Sequence, residues 1–331
     1  MCFLAGVLAA TSGFAAEAGV VRIGYFPNVT HGQALYGRST GSFEKQLGVK
    51  VQWVAFNAGP TAIESLFANA IDATYIGPGP TVNGYVKSRG EKFVVVAGAA
   101  SGGAGLVVRS DAGIAADKDF SGKKIATPQL GNTQDIAARV WLNSKKFKLK
   151  EKGGTVELMP ISNPDQLTLF QKKQIDGAWT VEPWLSRLEL EAGGKLYLDE
   201  KTIWPEGKFV TTHLVVSKAF LQKNLDAVKK LLQAHVEATQ VLNKDKAAAA
   251  TLLNAQLSKE TGKELKPEVV QSALQRVEFT WDPVSNSLHK GAQQAHEIGF
   301  IKTPPDLTGI YMLEPLNAVL KEKQLPAVAA K

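Results

Sequence analysis

The sequence predicts an α/β protein with largely parallel sheets, on three observations. From Val20 onward, short β-rich runs alternate with helical runs. The length of 331 residues corresponds to roughly two domains. After Ser217 the texture changes: Leu225, Val228, Leu231, Leu232 and Leu242 recur at helical spacing, 244–257 is alanine-rich, and no further strand is expected.

In chain order, strands are predicted over Val21–Phe26, Val49–Phe56, Ala73–Ile76, Phe93–Ala97, Gly105–Arg109, Lys124–Thr127, Val156–Ile161, Gly177–Thr180, Lys195–Leu198 and Phe209–Val216, most pairs separated by one helix. The glycine cluster Gly102-Gly103-Ala104-Gly105 and the turn Trp204-Pro205-Glu206-Gly207 bracket about a hundred residues with their own βα set, so both are read as crossovers and hinges. The expected organisation is a first lobe over 19–104, a second over 105–208, and a return to the first over 209–331. Residues 1–18 read as an export signal, an apolar stretch ending in the small-x-small site Ala16-Glu17-Ala18, although no Lys or Arg precedes Arg22. The expected location is therefore periplasmic, and the lone Cys2 would leave with the signal.

Composition narrows the function. A hydrophobic fraction of 44% and a charged fraction of 21% exclude disordered and multi-span membrane classes. A net charge of +7 favours small anions without supplying a polybasic nucleic-acid arm. One cysteine excludes disulfide frameworks, thiolate zinc clusters and iron–sulfur sites.

Three turns join a strand directly to a helix start: Asn57-Ala58-Gly59-Pro60-Thr61, Gly77-Pro78-Gly79-Pro80-Thr81, and the polar turn from Thr127 through Asn132, Thr133 and Asp135. Helix N-termini present unpaired N–H donors and a partial positive charge, so each such turn suits a small anion. Any α/β protein has such caps, and the cleft reading rests on the three together. No G-x-S-x-G, P-loop, H-E-x-x-H or complete G-x-G-x-x-G motif occurs, so no enzyme is read, and neither cofactor nor metal is expected. Among the five histidines, His235 falls on an apolar helical stripe and reads as structural. His31, in the turn that begins at Asn28, and His213, after Thr211-Thr212, are candidate ligand contacts. The string Trp179-Thr180-Val181-Glu182-Pro183-Trp184 offers two indoles and a carboxylate, either as core packing or as a pocket wall in which Glu182 accepts a hydrogen bond.

Taken together, the stretches from Ala58 to Gly77, from Ala126 to Gly131 and from Ile175 to Trp184 resemble the periplasmic solute-binding proteins of nitrate, aliphatic-sulfonate and taurine ABC importers, over roughly 20–325. The resemblance implies a two-lobed, type II periplasmic-binding-protein-like fold with two crossovers, a ligand cleft between lobes and a helical C-terminal segment. It places ligand contacts on Gly59, Thr61, Gly79, Thr127, Asn132 and Thr133, and a polar turn after the hinge on Ser101 and Gly102. Asn28, His31, Glu182, Trp184 and His213 complete the candidate set. Glu182 stands where relatives often carry Asp, and the first turn also departs from theirs. The expected ligand is an organosulfonate or similar small oxyanion, with Trp179 or Trp184 as an apolar wall. A monomer would pass it to an inner-membrane ABC permease, with no nucleic acid involved. Alternatives are a nitrate or bicarbonate binder, or a thiamine-pyrimidine synthase-like enzyme on the same fold.

Overall fold

The structure, a computed structural model, describes residues 19–330. The proposed export signal, 1–18, lies outside the described residues. Eleven strands form two sheets: β1 (Val20–Tyr25), β2 (Lys50–Ala55), β3 (Ala73–Ile76), β4 (Phe93–Gly102), β5 (Ala104–Arg109), β6 (Lys124–Thr127), β7 (Glu157–Pro160), β8 (Gly177–Val181), β9 (Gly194–Asp199), β10 (Val210–Ser217) and β11 (Val277–Phe279). The six-stranded sheet runs β11-β4-β10-β3-β1-β2 and the five-stranded sheet β7-β6-β8-β5-β9.

Two expectations need correction. The sheets are mixed rather than largely parallel. β1 is parallel to β2 and β3, and β6 to β7 and β8. However, β10 runs antiparallel to β3 and β4, and β5 antiparallel to β8 and β9. The cause is the exchange of chain between sheets: β4 passes almost directly into β5, and the chain that returns as β10 enters the first sheet from the opposite end. The second correction is β11, a strand beyond Ser217, where none was expected. It is three residues long and pairs only with β4.

Local sequence explains the frame. Every residue of β4 is buried, which accounts for the unbroken small and apolar run Phe93–Gly102. At the first passage between sheets, Gly102 and Gly103 have φ +75° and +69°, and a Cβ on Gly102 would lie 2.5 Å from the Arg276 carbonyl oxygen, so glycine is required. The second passage spans 200–209. The helix Leu225–Lys244 lays Val228, Leu231, Leu232, Val236 and Leu242 on the first sheet's core. His235 on that face is held by the Gly98 carbonyl (2.8 Å) and the Tyr75 hydroxyl (3.0 Å), a structural role.

The two halves are tied across their junction. Arg276, at the end of the helix Pro267–Arg276, meets Glu182 at 3.0 Å and Glu189 at 2.8 Å. The Glu182 carbonyl accepts the Val29 amide at 3.1 Å. Burial raises the Glu182 pKa, while the Arg276 guanidinium and the Ser186 donors pull it down.

Candidate functional site

Between the two sheets lies a small polar cavity of about 20 Å³. Five helix starts meet at its lining: His31 ahead of Gly32–Thr40, Asn57 ahead of Gly59–Phe67, Gly77 ahead of Pro78–Lys87, Asn132 and Thr133 at Thr133–Ser144, and Asn163 opening Asn163–Gln171. Thr211 and Thr212 of β10 close it. Each helix start contributes partial positive charge, and five pointing at one space make an anion-favouring field without any ionised side chain. No Lys, Arg, Asp or Glu lines this cavity.

The hydrogen-bond network fixes what the cage offers. Asn28 Oδ1 accepts the Trp184 indole N–H (2.9 Å), Gln134 Oε1 accepts from the Asn132 amide (3.2 Å), and Asn163 Oδ1 accepts the Thr180 hydroxyl (3.0 Å). With each oxygen engaged, the NH2 groups of Asn28, Gln134 and Asn163 are the ends left to meet an occupant. His31 Nδ1 accepts the Phe26 amide at 3.2 Å, and burial pushes its pKa down to about 3, so the neutral ring carries its proton on Nε2 and donates. The Thr212 hydroxyl is fully buried and has no protein partner. The set is rich in donors, the chemistry an oxyanion requires.

Contacts across the cleft close the cage. Asn132 Oδ1 accepts the Gly59 amide at 3.3 Å, and Thr133 Oγ1 accepts the Gly79 amide at 3.1 Å. Thus the polar turn after β6 caps the two helix starts opposite.

Of the candidates read from sequence, Asn28, His31, Asn132 and Thr133 line the cavity, and Gly59 and Gly79 bond directly to lining side chains. The others lie elsewhere. Thr61 is exposed on its helix. Thr127 is buried and donates to Asp135 at 3.0 Å. Ser101 and Gly102 sit in β4, where the Gly102 carbonyl accepts the Thr211 hydroxyl at 2.5 Å. Glu182 is fully buried, bonded to Ser186 and Arg276 rather than facing a ligand. Trp184 supports Asn28 from behind, and Trp179 gives its N–H to Glu200 at 2.9 Å inside the second lobe's core, so neither indole forms a wall of the cage. His213 bonds the Pro283 carbonyl at 3.0 Å, and burial lowers its pKa to about 4. Thr211 and Thr212 of β10 line the cage and His213 does not, next to the irregularities in the β10–β4 pairing on either side of Thr212.

Sequence reasoning missed Gln134, Asn163 and Thr212. For Asn163 the signal was present, because Ser162-Asn163-Pro164 follows a predicted strand with proline early in a helix, the grammar of the other turns. Among the described residues, no cluster of His, Cys, Asp and Glu could hold a metal ion, and no helix is long and apolar enough to cross a membrane.

Comparison with known proteins extends the picture. A model described as the NMT1-like family matches residues 15–256. The taurine-binding periplasmic protein of Escherichia coli (strain K12) is 24% identical over 235 residues, 71% of this chain and 70% of that protein. Three solved structures share the two-lobed fold. The alkanesulfonate-binding protein SsuA from Xanthomonas axonopodis pv. citri bound to MOPS has TM-score 0.73 and 19% identity, covering 90% of this chain and 100% of that one. The periplasmic nitrate-binding protein NrtA from Synechocystis PCC 6803 has TM-score 0.78 and 14% identity, covering 94% and 90%. The desulfurization enzyme DszB has TM-score 0.65 and 17% identity, covering 92% and 99%.

Proposed function

The chain belongs to the NMT1-like family, and from that premise we propose that it is an exported, non-enzymatic solute-binding protein that captures an organosulfonate or similar small oxyanion and delivers it to an ABC permease. The observation that carries this reading is the donor cage at five converging helix starts, built without an ionised side chain and holding the orphaned Thr212 hydroxyl. Neutral donors leave the ligand's charge unneutralised by a salt bridge, so selectivity rests on geometry and on the helix ends. The mechanism is population shift. A ligand that touches Asn28 and His31 on one side and Gln134 and Asn163 on the other gains both sets of bonds only with the lobes together, and binding favours closure by that difference. The proposed hinges are the segments 102–105 and 204–207, with lobes divided near 104 and 208.

A nitrate or bicarbonate ligand is the second reading, favoured by the small size of the cavity, about 20 Å³, and its mostly polar lining. A thermal-shift screen of the chain from Gly19 onward tests both, with alkanesulfonates, taurine, nitrate, bicarbonate and sulfate. At a hundred times its dissociation constant a ligand adds about 2.7 kcal/mol, or about 5–10 °C for a chain of this size. A selective rise with one oxyanion is expected; an unchanged midpoint with all of them would overturn the reading. An absorbance band from bound pyridoxal phosphate in the purified protein would favour an enzyme on the same fold instead.

A further inference from the structure

A groove of about 340 Å³ lies on the seam between the two lobes and shares no lining residue with the cage. One wall belongs to the second sheet's side: Leu130, Arg139 of the helix Thr133–Ser144, and Phe147, Lys148 and Lys152 after it. The other is the segment 298–302, which follows the helix Ser285–Glu297 and sets Ile301 in the first sheet's core. Two contacts hold the walls together. The Lys152 ammonium donates to the Ile298 carbonyl at 3.4 Å, and the Phe300 ring covers Gly131, where a Cβ would lie 2.8 Å from its Cζ. Neither wall makes the groove alone, so it exists only with the lobes in this arrangement, and whatever fits it reads closure.

The turn from Leu130 to Thr133 serves both spaces. Leu130 lines the groove, while Asn132 and Thr133 line the cage, where they accept the Gly59 and Gly79 amides at 3.3 and 3.1 Å. The turn is also anchored to the groove's own residues. Asp135 accepts the Gly131 amide at 2.9 Å and pairs with Arg139 at 2.9 Å, and Arg139 in turn pairs with Glu151 of the groove. A partner seated against Leu130 therefore bears on the two residues that cap the cage across the cleft.

The lining states the partner's chemistry. It carries four cations, Arg139, Lys148, Lys152 and Lys302, against one carboxylate, Glu151. Arg139 is matched by Asp135 and Glu151, which leaves three lysine charges. Among the described residues neither Lys148 nor Lys302 makes an ion pair, and both are exposed. Leu130 stands in this company with 55% of its surface exposed, and the Phe147 and Phe300 rings are half-buried. An exposed leucine and two rings rimmed by unpaired cations complement an acidic segment that carries an apolar side chain.

We propose that this seam is the surface by which the loaded receptor meets its membrane permease, through an acidic permease segment whose apolar side chain rests against Leu130. The inference rests on the oxyanion-receptor reading and adds to it the surface and the charge of the partner. The test is uptake by the native cells, with the chromosomal gene deleted or carrying the native sequence, Lys148→Glu/Lys302→Glu, Lys148→Arg/Lys302→Arg or Leu130→Ser. Isotope-labelled taurine, hexanesulfonate and nitrate are the probes, and calorimetry on each purified full chain measures their affinities. For a probe that binds, Lys148→Glu/Lys302→Glu should lower uptake about tenfold or more and leave affinity within about twofold. Leu130→Ser should lower uptake in the same way, and Lys148→Arg/Lys302→Arg should keep the native rate. Unchanged uptake in the charge-reversed or the Leu130→Ser protein, or a loss that the arginine variant shares, would overturn the seam while leaving the receptor standing. Binding of the native protein to phosphatidylglycerol vesicles, abolished by charge reversal with uptake unaffected, would assign the lysines to a lipid surface and also overturn the proposal. If no probe binds, or a bound probe enters equally well without the gene, the receptor reading falls and the seam with it.

Discussion

The cage and a neighbouring apolar chamber of about 170 Å³ are built from the same helices but from different parts of them. At their N-terminal ends, the Pro78 and Thr133 helices expose amides and short polar side chains, and the space between them is a donor cage. One or two turns further on, the same helices present Val82, Ile136 and Val140, and the space is apolar. Helix ends carry the unsatisfied groups and helix sides carry the apolar stripe. A cleft that runs from ends to sides therefore changes character within a few residues, and the Thr133–Gly79 contact separates the two spaces.

The largest expected effect breaks both compartments together, because both depend on the tie at Arg276. Arg276→Met would leave the fully buried Glu182 with its Ser186 donors alone. Removing one partner of a buried pair costs about 3–5 kcal/mol. A fall in melting temperature of about 10 °C is expected by calorimetry, with weaker oxyanion binding. A stable variant with unchanged binding would show that the tie is incidental.

Next in size, pH acts in opposite directions on the buried histidines and on Glu200. His31 beside the cage, with His213 and His235, is held neutral with pKa values lowered to about 3, 4 and 4 from 6.5. The unfolded chain takes up those protons first, so their stabilisation is full above pH 6.5 and is lost as pH falls toward 4. Glu200, beside the chamber, runs the other way. Burial raises its pKa from 4.5 to about 7, so its contribution is full below pH 4.5 and is lost as pH rises through 7. Glu200→Gln should therefore steepen the loss of stability between pH 7 and 4.5, by about 3 kcal/mol across the interval, as read from denaturant midpoints at each pH. Parallel pH curves for the two proteins would show that Glu200 is ionised in the fold.

The cage was more legible in the sequence than the chamber. Proline or glycine at a helix start is a local signal that pointed to Gly59 and Gly79, and a capping residue in a polar turn pointed to Asn132 and Thr133. Asn163 gave the same signal. Thr212 required knowing that the irregular stretch of β10 brings it to the cleft, and Gln134 required knowing that the Asn132 amide holds its oxygen. The chamber left no local trace, because Val82, Ile136 and Leu288 read as ordinary core positions until three distant helices meet. Trp179 and Trp184 attracted attention as walls because they are large and close in sequence, yet each spends its N–H on a neighbour within the frame. β11 escaped because three residues are too few to show a period, and its pairing with β4 is set by tertiary contact.

Two smaller effects sharpen the contrast. Asn163→Ala removes a cage donor and also leaves the Thr180 hydroxyl unpaired. A lost bond of this kind costs about 1–3 kcal/mol, so oxyanion affinity should fall about tenfold or more by calorimetry. Unchanged affinity would place Asn163 outside the site. Gly291→Ala, in the helix Ser285–Glu297, is the smallest change and acts on the chamber alone. Alanine in the helix interior is favoured by about 0.5–1 kcal/mol over glycine, and the added methyl meets nothing nearer than Trp204 Cη2 at 3.9 Å. The variant should melt about 1–4 °C higher and bind the oxyanion as before. A gain in stability with affinity unchanged would show that the chamber's wall can be altered without disturbing the cage. A loss of oxyanion affinity instead would mean that the two spaces are not separately held.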